Sequence, residues 1–373
     1  MTHRSVGGVI ASNEPCSLDA VLRRLVAGAL WATGAQASVV VDGVVAKDIA
    51  AGERAPGQPL TRSAGFAHVC TFKPLIALAV LGLAERGLLD LQRPLASFSD
   101  RYPRLIEAEG VVADVLCHDA GLVEPHPLDV RLCPARERTE RIAALFAQDC
   151  SRRASYSEHA AWRLLGDAIE DATGEPADRF IQRDLIDLLG IGEEVRVSFD
   201  EAWFTEHHDD LAPYWEGLGG TPVPLLHDLV SHVARDTCQP GFGGYASARG
   251  LAQLYEPVSA LLSDRVDAVP GFPSAEALCA ALDESRGHES DGVLDRPCDF
   301  AAGFMVGLGD HFFGTSPSEE AIGHGGWMGT SFVLIDPVHD LVAAVVLNGT
   351  VAAVEDLAHL RPPIIDAIYA DVL

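Results

Sequence analysis

Apolar and polar positions near the N-terminus follow two different periods. Residues 17–33 carry apolar side chains at three- and four-residue spacing, which predicts an amphipathic helix. Two apolar runs then flank Asp42-Gly43, and Asp-Gly between runs of β-branched residues is the strongest short signal of a β-hairpin. The chain is therefore predicted to open as helix, strand, turn and strand.

The hairpin pattern returns near the C-terminus. The apolar runs Thr330–Ile335 and Leu341–Leu347 flank the segment 336–340, which predicts a second pair of strands. A last helix is predicted over about 354–372, and Pro362-Pro363 must kink this helix or delay its start.

The middle of the chain has a helical pattern. Residues 74–86 are almost all apolar, which predicts a buried helix, and residues 138–149 and 160–173 are predicted to form amphipathic helices. Strand signals are scarce between about 75 and 290. We expect no regular structure in the segment 200–240, which is rich in Trp, Pro, Gly and His.

Paired strands at both ends of a helical middle predict one sheet built from both termini. We therefore expect an α/β (α+β) fold in which helices flank an antiparallel sheet and a mostly helical part is inserted. The chain is interpreted as a single unit over 1–373. Its α/β part is expected at about 17–75 and 290–373, and its helical part at about 76–289.

Composition and charge narrow the possible partners. The 373 residues are 48% hydrophobic and 22% charged, which is a globular composition. The formal net charge of −27 repels phosphate backbones and anionic lipid, so neither nucleic acid nor a membrane surface is expected as a partner. No stretch approaches the ~20 apolar residues that cross a bilayer. Residues 1–15 contain no apolar core of a secretory signal, which favours a cytoplasmic protein.

The eight cysteines show no CxxC pair and no metal-ligand spacing, so we expect reduced and mostly buried thiols. No metal site is expected either, because adjacent residues such as His207-His208 rarely chelate one ion. One cysteine has a different context. Cys70 precedes the buried helix and Lys73 follows one turn later, where its amine faces the thiol and either favours the thiolate or accepts the proton. His68 is too close in sequence to be expected to face Cys70.

The stretch 65–91 around Cys70-Thr71-Phe72-Lys73 resembles the Ser-x-x-Lys block of the serine β-lactamase and penicillin-binding-protein superfamily, above all its class C and esterase branch. Further matches follow in the order typical of that family. They are the segment 115–122, the Tyr156-Ser157-Glu158 block with its Leu-Leu-Gly and Thr-Gly followers, the softer match 243–249, and His324-Gly325-Gly326-Trp327 before a strand. Each string is short, but their common order is specific, and the resemblance covers about residue 17 to the end.

The resemblance implies a β-lactamase-like fold with the active site between the sheet part and the helical part. It implies that Cys70 is the nucleophile, that Lys73 is its proton partner, and that Tyr156 passes protons to the leaving or incoming group. It also implies that the backbone N–H groups of Cys70 and Trp327 form an oxyanion hole.

The resemblance also implies a substrate-binding strand. His324 takes the position of a Lys or His that fixes the substrate or the proton network. Gly325 and Gly326 are expected to let the substrate backbone approach closely. No cofactor is implied.

Two positions depart from the pattern of the family. Glu158 stands where Asn is usual, and three roles stay open: pairing with Lys73 to keep it charged, binding an amine of the substrate, or no role at all. Cys70 replaces serine, so the acyl-enzyme would be a thioester. A thiol needs less help from a base than an alcohol does. Thioesters also resist water better than they resist amines and thiols, which favours transfer over hydrolysis.

These residues favour a cysteine-nucleophile acyltransferase that works through an acyl-Cys70 intermediate on a small biosynthetic acyl donor, as in secondary metabolism. A carrier-protein or coenzyme A thioester is the kind of donor expected, and the segment 200–240 is expected to form a wall for donor or acceptor. The alternatives are an esterase, amidase or β-lactamase-type hydrolase, a non-catalytic member that only binds a ligand, and a non-acyl reaction such as a cyclisation. Retention of Lys73, Tyr156 and the glycine pair argues against a non-catalytic member.

Overall fold

The computed structural model describes residues 16–28, 31–122, 154–198, 201–215, 241, 243–287 and 290–373. The strands in these ranges are β1 (Gly34–Val41), β2 (Val44–Ala55), β3 (Gln58–Pro59), β4 (Phe66–Ala67), β5 (Val195–Arg196), β6 (Tyr245–Ala246), β7 (Asp299–Ala301), β8 (Phe304–Val306), β9 (Ile322–Gly325), β10 (Ser331–Asp336) and β11 (Leu341–Leu347). The α-helices are α1 (Leu18–Gly28), α2 (Lys73–Glu85), α3 (Val112–Leu116), α4 (Ala160–Thr173), α5 (Ala177–Ile181), α6 (Glu201–His207), α7 (Ala248–Leu262), α8 (Ala275–Asp283) and α9 (Leu357–Val372).

One antiparallel sheet of eight strands joins the two ends of the chain, in the order β3-β2-β1-β11-β10-β9-β8-β7. Strand β1 pairs with β11 from Ala35 opposite Leu347 to Val41 opposite Leu341. The predicted sheet from both termini, and with it the α/β (α+β) fold class, is confirmed. The division into an α/β part and a helical part stays a prediction.

Both predicted hairpins form, and their turns show why. Asp42 and Gly43 have φ angles of 51° and 73°, the left-handed conformation that a two-residue turn between β1 and β2 requires. Strands β10 and β11 pair up to Asp336 opposite Leu341 and are joined by the residues 337–340. The local sequence is therefore sufficient to specify these two elements.

Helix α2 is buried on all sides, as its uniformly apolar sequence predicts. It packs against α4, which has the predicted bounds of 160–173. The predicted helix 138–149 lies outside the described residues.

One expectation about regular structure is wrong. Part of the segment 200–240 is helical, because α6 covers Glu201–His207. The last helix forms: α9 begins at Leu357 with Pro362 and Pro363 inside it, so these prolines do not set its start, and the alternative, a kink, stays a prediction. The N–H groups that these prolines lack would have bonded the carbonyls of residues 358 and 359, which are exposed residues.

Candidate active site

Cys70 lies at the start of the buried helical segment. It opens a 3₁₀ turn, Cys70–Phe72, that continues directly into α2, and its carbonyl accepts a hydrogen bond from the N–H of Lys73. The side chain is 3% exposed and the thiol is free of disulfide bonds. Burial raises the pKa of two other thiols, Cys117 and Cys298, to about 11. These two cysteines therefore resemble inert packing residues.

Lys73 is fully buried, and its amine is held by two main-chain carbonyls. Nζ donates to the carbonyl of Glu158 at 3.0 Å and to that of Gly241 at 2.7 Å. It also lies 5.2 Å from the ring centroid of Tyr156 and 5.6 Å from that of Trp162. Carbonyl oxygens and aromatic faces are both complementary to an ammonium group. No hydrogen bond joins this amine to the Cys70 thiol within the described residues.

The contact of Glu158 with Lys73 runs through the main-chain carbonyl of Glu158. Among the described residues no ion pair joins the two side chains, and the Glu158 carboxylate is half-buried. The three roles considered for Glu158 stay predictions.

Tyr156 lies at the centre of an aromatic and cationic cluster. Its ring stacks on that of His118 with centroids 4.4 Å apart, and its centroid is 5.5 Å from that of Phe300 and 6.4 Å from that of His324. The structure thus brings Lys73, Tyr156 and His324, which are far apart in sequence, into one buried group. Their catalytic roles stay predictions.

Two histidines of this cluster are neutral. Burial, reinforced by the nearby charge of Lys73, holds the pKa of His118 and of His324 well below the usual value. His118 Nδ1 accepts a hydrogen bond from the N–H of Ser157 at 3.0 Å, which leaves the ring proton on Nε2. His324 Nδ1 bonds the carbonyl of Gly325 at 3.0 Å, so its proton is on Nδ1 and its Nε2 is an acceptor. Neither Nε2 has a partner among the described residues.

The two N–H groups expected to bind an oxyanion are both unbonded. Trp327 opens a 3₁₀ turn, Trp327–Gly329, directly after β9 and Gly326, just as Cys70 opens its own turn. Neither backbone N–H donates to an acceptor in the described part of the chain. Strands β9 and β10 contact the turn of Cys70, and Thr71 Oγ1 lies 3.4 Å from Ser331 Oγ. Unbonded N–H donors are what an oxyanion hole requires.

Packing within the fold leaves no room for a Cβ at Gly325 or at Gly326. A Cβ at position 325 would overlap the guanidinium of Arg361, with its Cζ 2.8 Å away. A Cβ at position 326 would lie 2.8 Å from Thr330 Oγ1 and would overlap Ser331 Oγ. Contact of these glycines with substrate stays a prediction.

His68 does not pair with Cys70. Its Nδ1 lies 3.0 Å from Thr71 Oγ1 and its Nε2 lies 3.0 Å from the carbonyl of Ala246. Burial lowers the pKa of His68 to about 4. A neutral His68 therefore ties the turn of Cys70 to β6, in line with the sequence-based expectation.

Sequence reasoning missed one charged residue of this region, Arg361 on α9. The signal that reveals it is the buried stripe of that helix, formed by Leu357, Leu360, Ile364 and Ile365, in which an arginine takes the place of an apolar side chain. Sequence reasoning also assigned no role to His118 and Phe300, which contact Tyr156.

The described residues contain neither a metal-binding group nor a membrane-spanning helix. Among the described residues, no group of three or more His, Cys, Asp or Glu side chains is arranged to hold a metal ion. Within those same ranges, no helix is both long enough and apolar enough to cross a membrane.

Comparison with known proteins agrees with this geometry. The sequence model of the family described as Beta-lactamase matches residues 19–361. The chain belongs to the beta-lactamase family. The resemblance inferred from the motifs is thus confirmed. That Cys70 stands at the position of the family's serine stays a prediction.

Relatives of this beta-lactamase family member include esterases and penicillin-binding-protein homologues. Esterase EstB of Burkholderia gladioli is 26% identical over 243 residues, which are 56% of this chain and 60% of the esterase, less than two thirds of its length. A penicillin-binding-protein homologue from Caulobacter crescentus superimposes with a TM-score of 0.70 at 20% identity, covering 97% of this chain and 99% of that one. EstCE1, described as a hydrolase with promiscuous acyltransferase activity, has a TM-score of 0.72 at 16% identity, covering 93% and 96%. At these identities the structural likenesses show the fold.

Proposed function

We propose that the chain is a cysteine-nucleophile acyltransferase that forms an acyl-Cys70 thioester from a small biosynthetic acyl donor. One observation carries this proposal. In a beta-lactamase family member, the buried Cys70 opens the turn before α2, the amine of Lys73 lies 5.2 Å from the ring centroid of Tyr156, and the N–H groups of Cys70 and Trp327 are unbonded among the described residues. A cleft that only bound a ligand would have no need of this combination.

In the proposed reaction, Tyr156 acts as a phenolate: it takes the proton of Cys70, and the thiolate attacks the acyl carbonyl of the donor. The N–H groups of Cys70 and Trp327 stabilise the oxyanion, and Tyr156 gives the proton to the leaving group as the acyl–donor bond breaks. In the second half, Tyr156 takes a proton from the acceptor, which attacks the thioester. The bond between the acyl carbon and Cys70 Sγ then breaks, and Tyr156 returns the proton to the Cys70 thiolate. The charge of Lys73 stabilises the anionic states of both neighbours.

The preference for transfer rests on the chemistry of the thioester. An acyl-Cys70 thioester reacts more readily with amines and thiols than with water. We propose a cytoplasmic setting, in which coenzyme A or carrier-protein thioesters serve as donors. The oxyanion donors lower the barrier for every acceptor alike, so the choice between water and another acceptor depends on what the cleft admits.

Hydrolysis is the second candidate function, and the comparisons favour it. The relative EstB is named an esterase, and the structural neighbour EstCE1 is described as a hydrolase with promiscuous acyltransferase activity. A family member that lacks a suitable acceptor would release its acyl group to water through the same intermediate. The two functions therefore differ only in the second half of the reaction.

Intact-protein mass spectrometry separates the two functions. The protein is incubated with panels of acyl thioesters, esters and β-lactams, and the matched control is Cys70→Ala. We expect one acyl group per chain on the wild type and none on the control. We also expect the adduct to persist in water and to discharge when an amine, alcohol or thiol is added. Decay of the adduct at the same rate with and without acceptor would favour the hydrolase. Absence of an adduct with every class of donor would contradict both functions.

A further inference from the structure

Arg361 is a buried cation without an anionic partner. The side chain is 3% exposed, and among the described residues no carboxylate forms an ion pair with it. Its Nη1 donates to the carbonyl of His311 at 2.8 Å, its Cζ lies 5.0 Å from the ring centroid of Phe313, and its Nε has no partner in the same ranges. An uncompensated buried charge normally destabilises a protein. A buried arginine without a carboxylate partner is therefore a candidate for a functional role.

The guanidinium lies directly behind the strand of the candidate active site. At position 325, the Cβ of any residue other than glycine would overlap this guanidinium. His324, the residue before Gly325, faces Tyr156 with ring centroids 6.4 Å apart. Arg361 and Tyr156 thus flank the same short segment of β9.

The electrostatics of Arg361 agree with this placement. Burial is the largest effect and lowers the pKa of Arg361 to about 9, with a further lowering by Arg296, whereas Tyr156 acts in the opposite direction. The guanidinium is therefore still charged at neutral pH. Since the interaction between two groups is mutual, the same charge favours the phenolate of Tyr156.

Among the described residues, Lys73 and Arg296 are the other cations near Arg361 or Tyr156 that no carboxylate neutralises. His118, His311 and His324 are all neutral, because burial lowers the pKa of each; for His311 the value is about 3. Arg286 is neutralised by Asp291, with which it forms a fully buried ion pair at 2.8 Å. Half-buried Arg296 stacks on Phe312 at 4.0 Å.

We propose that Arg361 is a positioning residue of the acyl-transfer site, whose fixed positive charge behind β9 holds Tyr156 ready to accept the proton of Cys70. The neutral His324 on the strand itself cannot provide this charge. This inference rests on the proposed function, in which Tyr156 carries the proton. The proton leaves Cys70 Sγ, is held on the Tyr156 oxygen, and passes to the leaving group, so no further reactant is needed.

Ultraviolet titration of the tyrosinate band tests the inference without any acyl donor. The difference between wild type and Tyr156→Phe isolates the titration of Tyr156. In Arg361→Met, which removes the charge, we expect the midpoint to rise by about one pH unit or more. In Arg361→Lys, which keeps the charge, it should stay near the wild-type value. If Arg361→Met does not fold, Arg361→Gln provides the same loss of charge with a polar side chain.

Thermal stability and acylation supply two further readouts. Arg361→Met should melt at or above the wild-type temperature, because it removes an unpaired buried charge, while its rate of Cys70 acylation falls about 10-fold or more. In a Tyr156→Phe background the same change should have no further effect on acylation. The matched control is Arg265→Met, which removes an arginine paired with Glu256 and Asp340 at the far end of β10 and should leave acylation unchanged.

The outcomes distinguish this inference from the proposed function. An unmoved midpoint in both charge-removing variants, with normal acylation, would overturn the role of Arg361 and leave the acyltransferase intact. A shifted midpoint in a protein that forms no acyl-enzyme with any donor would support the role of Arg361 and contradict the acyltransferase. Loss of stability and acylation together in Arg361→Met, with no shift, would mark a merely structural arginine.

Discussion

Gly325→Ala is the most direct test of how β9 is built. The sequence suggests that this glycine makes room for substrate, whereas the structure places the guanidinium of Arg361 where a Cβ would project. The two explanations predict different results. Crowding of Arg361 affects the folded protein itself, whereas crowding of substrate affects the reaction alone.

The size of the effect follows from the geometry. An added Cβ would lie 2.8 Å from Arg361 Cζ, so the guanidinium must retreat by roughly 1 Å, which costs about 1–3 kcal/mol as overpacking. The retreat also breaks the charged hydrogen bond to the carbonyl of His311, worth about 1.5–3 kcal/mol. The free energy of unfolding should therefore fall by about 2.5–6 kcal/mol. For a chain of this length the melting temperature should fall by roughly 3–8 °C.

Differential scanning calorimetry measures this change, with Gly309→Ala as the matched control. A Cβ at position 309 would meet its nearest atom at 3.9 Å, so that variant should melt within about 1 °C of wild type. In the double variant Gly325→Ala with Arg361→Ala the overlap is absent, so the double variant should lose less stability than the sum of the losses in the two single variants. A wild-type melting temperature for Gly325→Ala, combined with slower acylation, would refute the packing argument and favour contact with substrate.

Two further predictions concern the nucleophile and the response to acid. Cys70→Ser should acylate about 100-fold more slowly than wild type in single-turnover mass spectrometry, because a serine hydroxyl gives up its proton far less readily than a thiol does; a serine variant as fast as wild type would show that the site is not adapted to a thiol. The free energy of unfolding should fall as the pH drops from 6.5 towards 4. In this range the unfolded chain binds a proton at His68, whereas the folded chain does not, because the pKa of His68 is about 4 there. Urea denaturation should show that the loss of stability between pH 7 and pH 5 is smaller in His68→Gln than in wild type by about 2 kcal/mol, and equal losses would contradict the assignment.

The parts of the fold that the sequence predicts well are those whose cause is local. The turn at Asp42-Gly43 needs two left-handed residues, and these two residue types adopt that conformation readily, so the hairpin follows from a dipeptide and its flanks. Helix α2 follows from its uniformly apolar composition. The order of the motifs, from Cys70 to Trp327, was sufficient to identify the family.

The parts that failed depend on distant contacts. The sequence shows that Glu158 follows Tyr156, but only the folded chain shows that Lys73 bonds the carbonyl of Glu158 and not its carboxylate. Pro362 lies inside α9, and the carbonyl that it leaves unbonded belongs to an exposed residue of the same helix. Arg361 could have been found as a charge within an apolar stripe, but its neighbours, Gly325 and His311, come from other elements.

The departures from the family pattern form a consistent electrostatic set. Cys70 provides an acid that ionises more readily than a serine would. The amine of Lys73 donates to two carbonyls and lies beside two aromatic rings, which are both complementary to a cation. His324 is neutral, and the positive charge behind its strand comes from Arg361 on another element. In the proposed reaction these cations stabilise a thiolate and a phenolate, so a serine at position 70 would place in the same site a nucleophile that ionises far less readily.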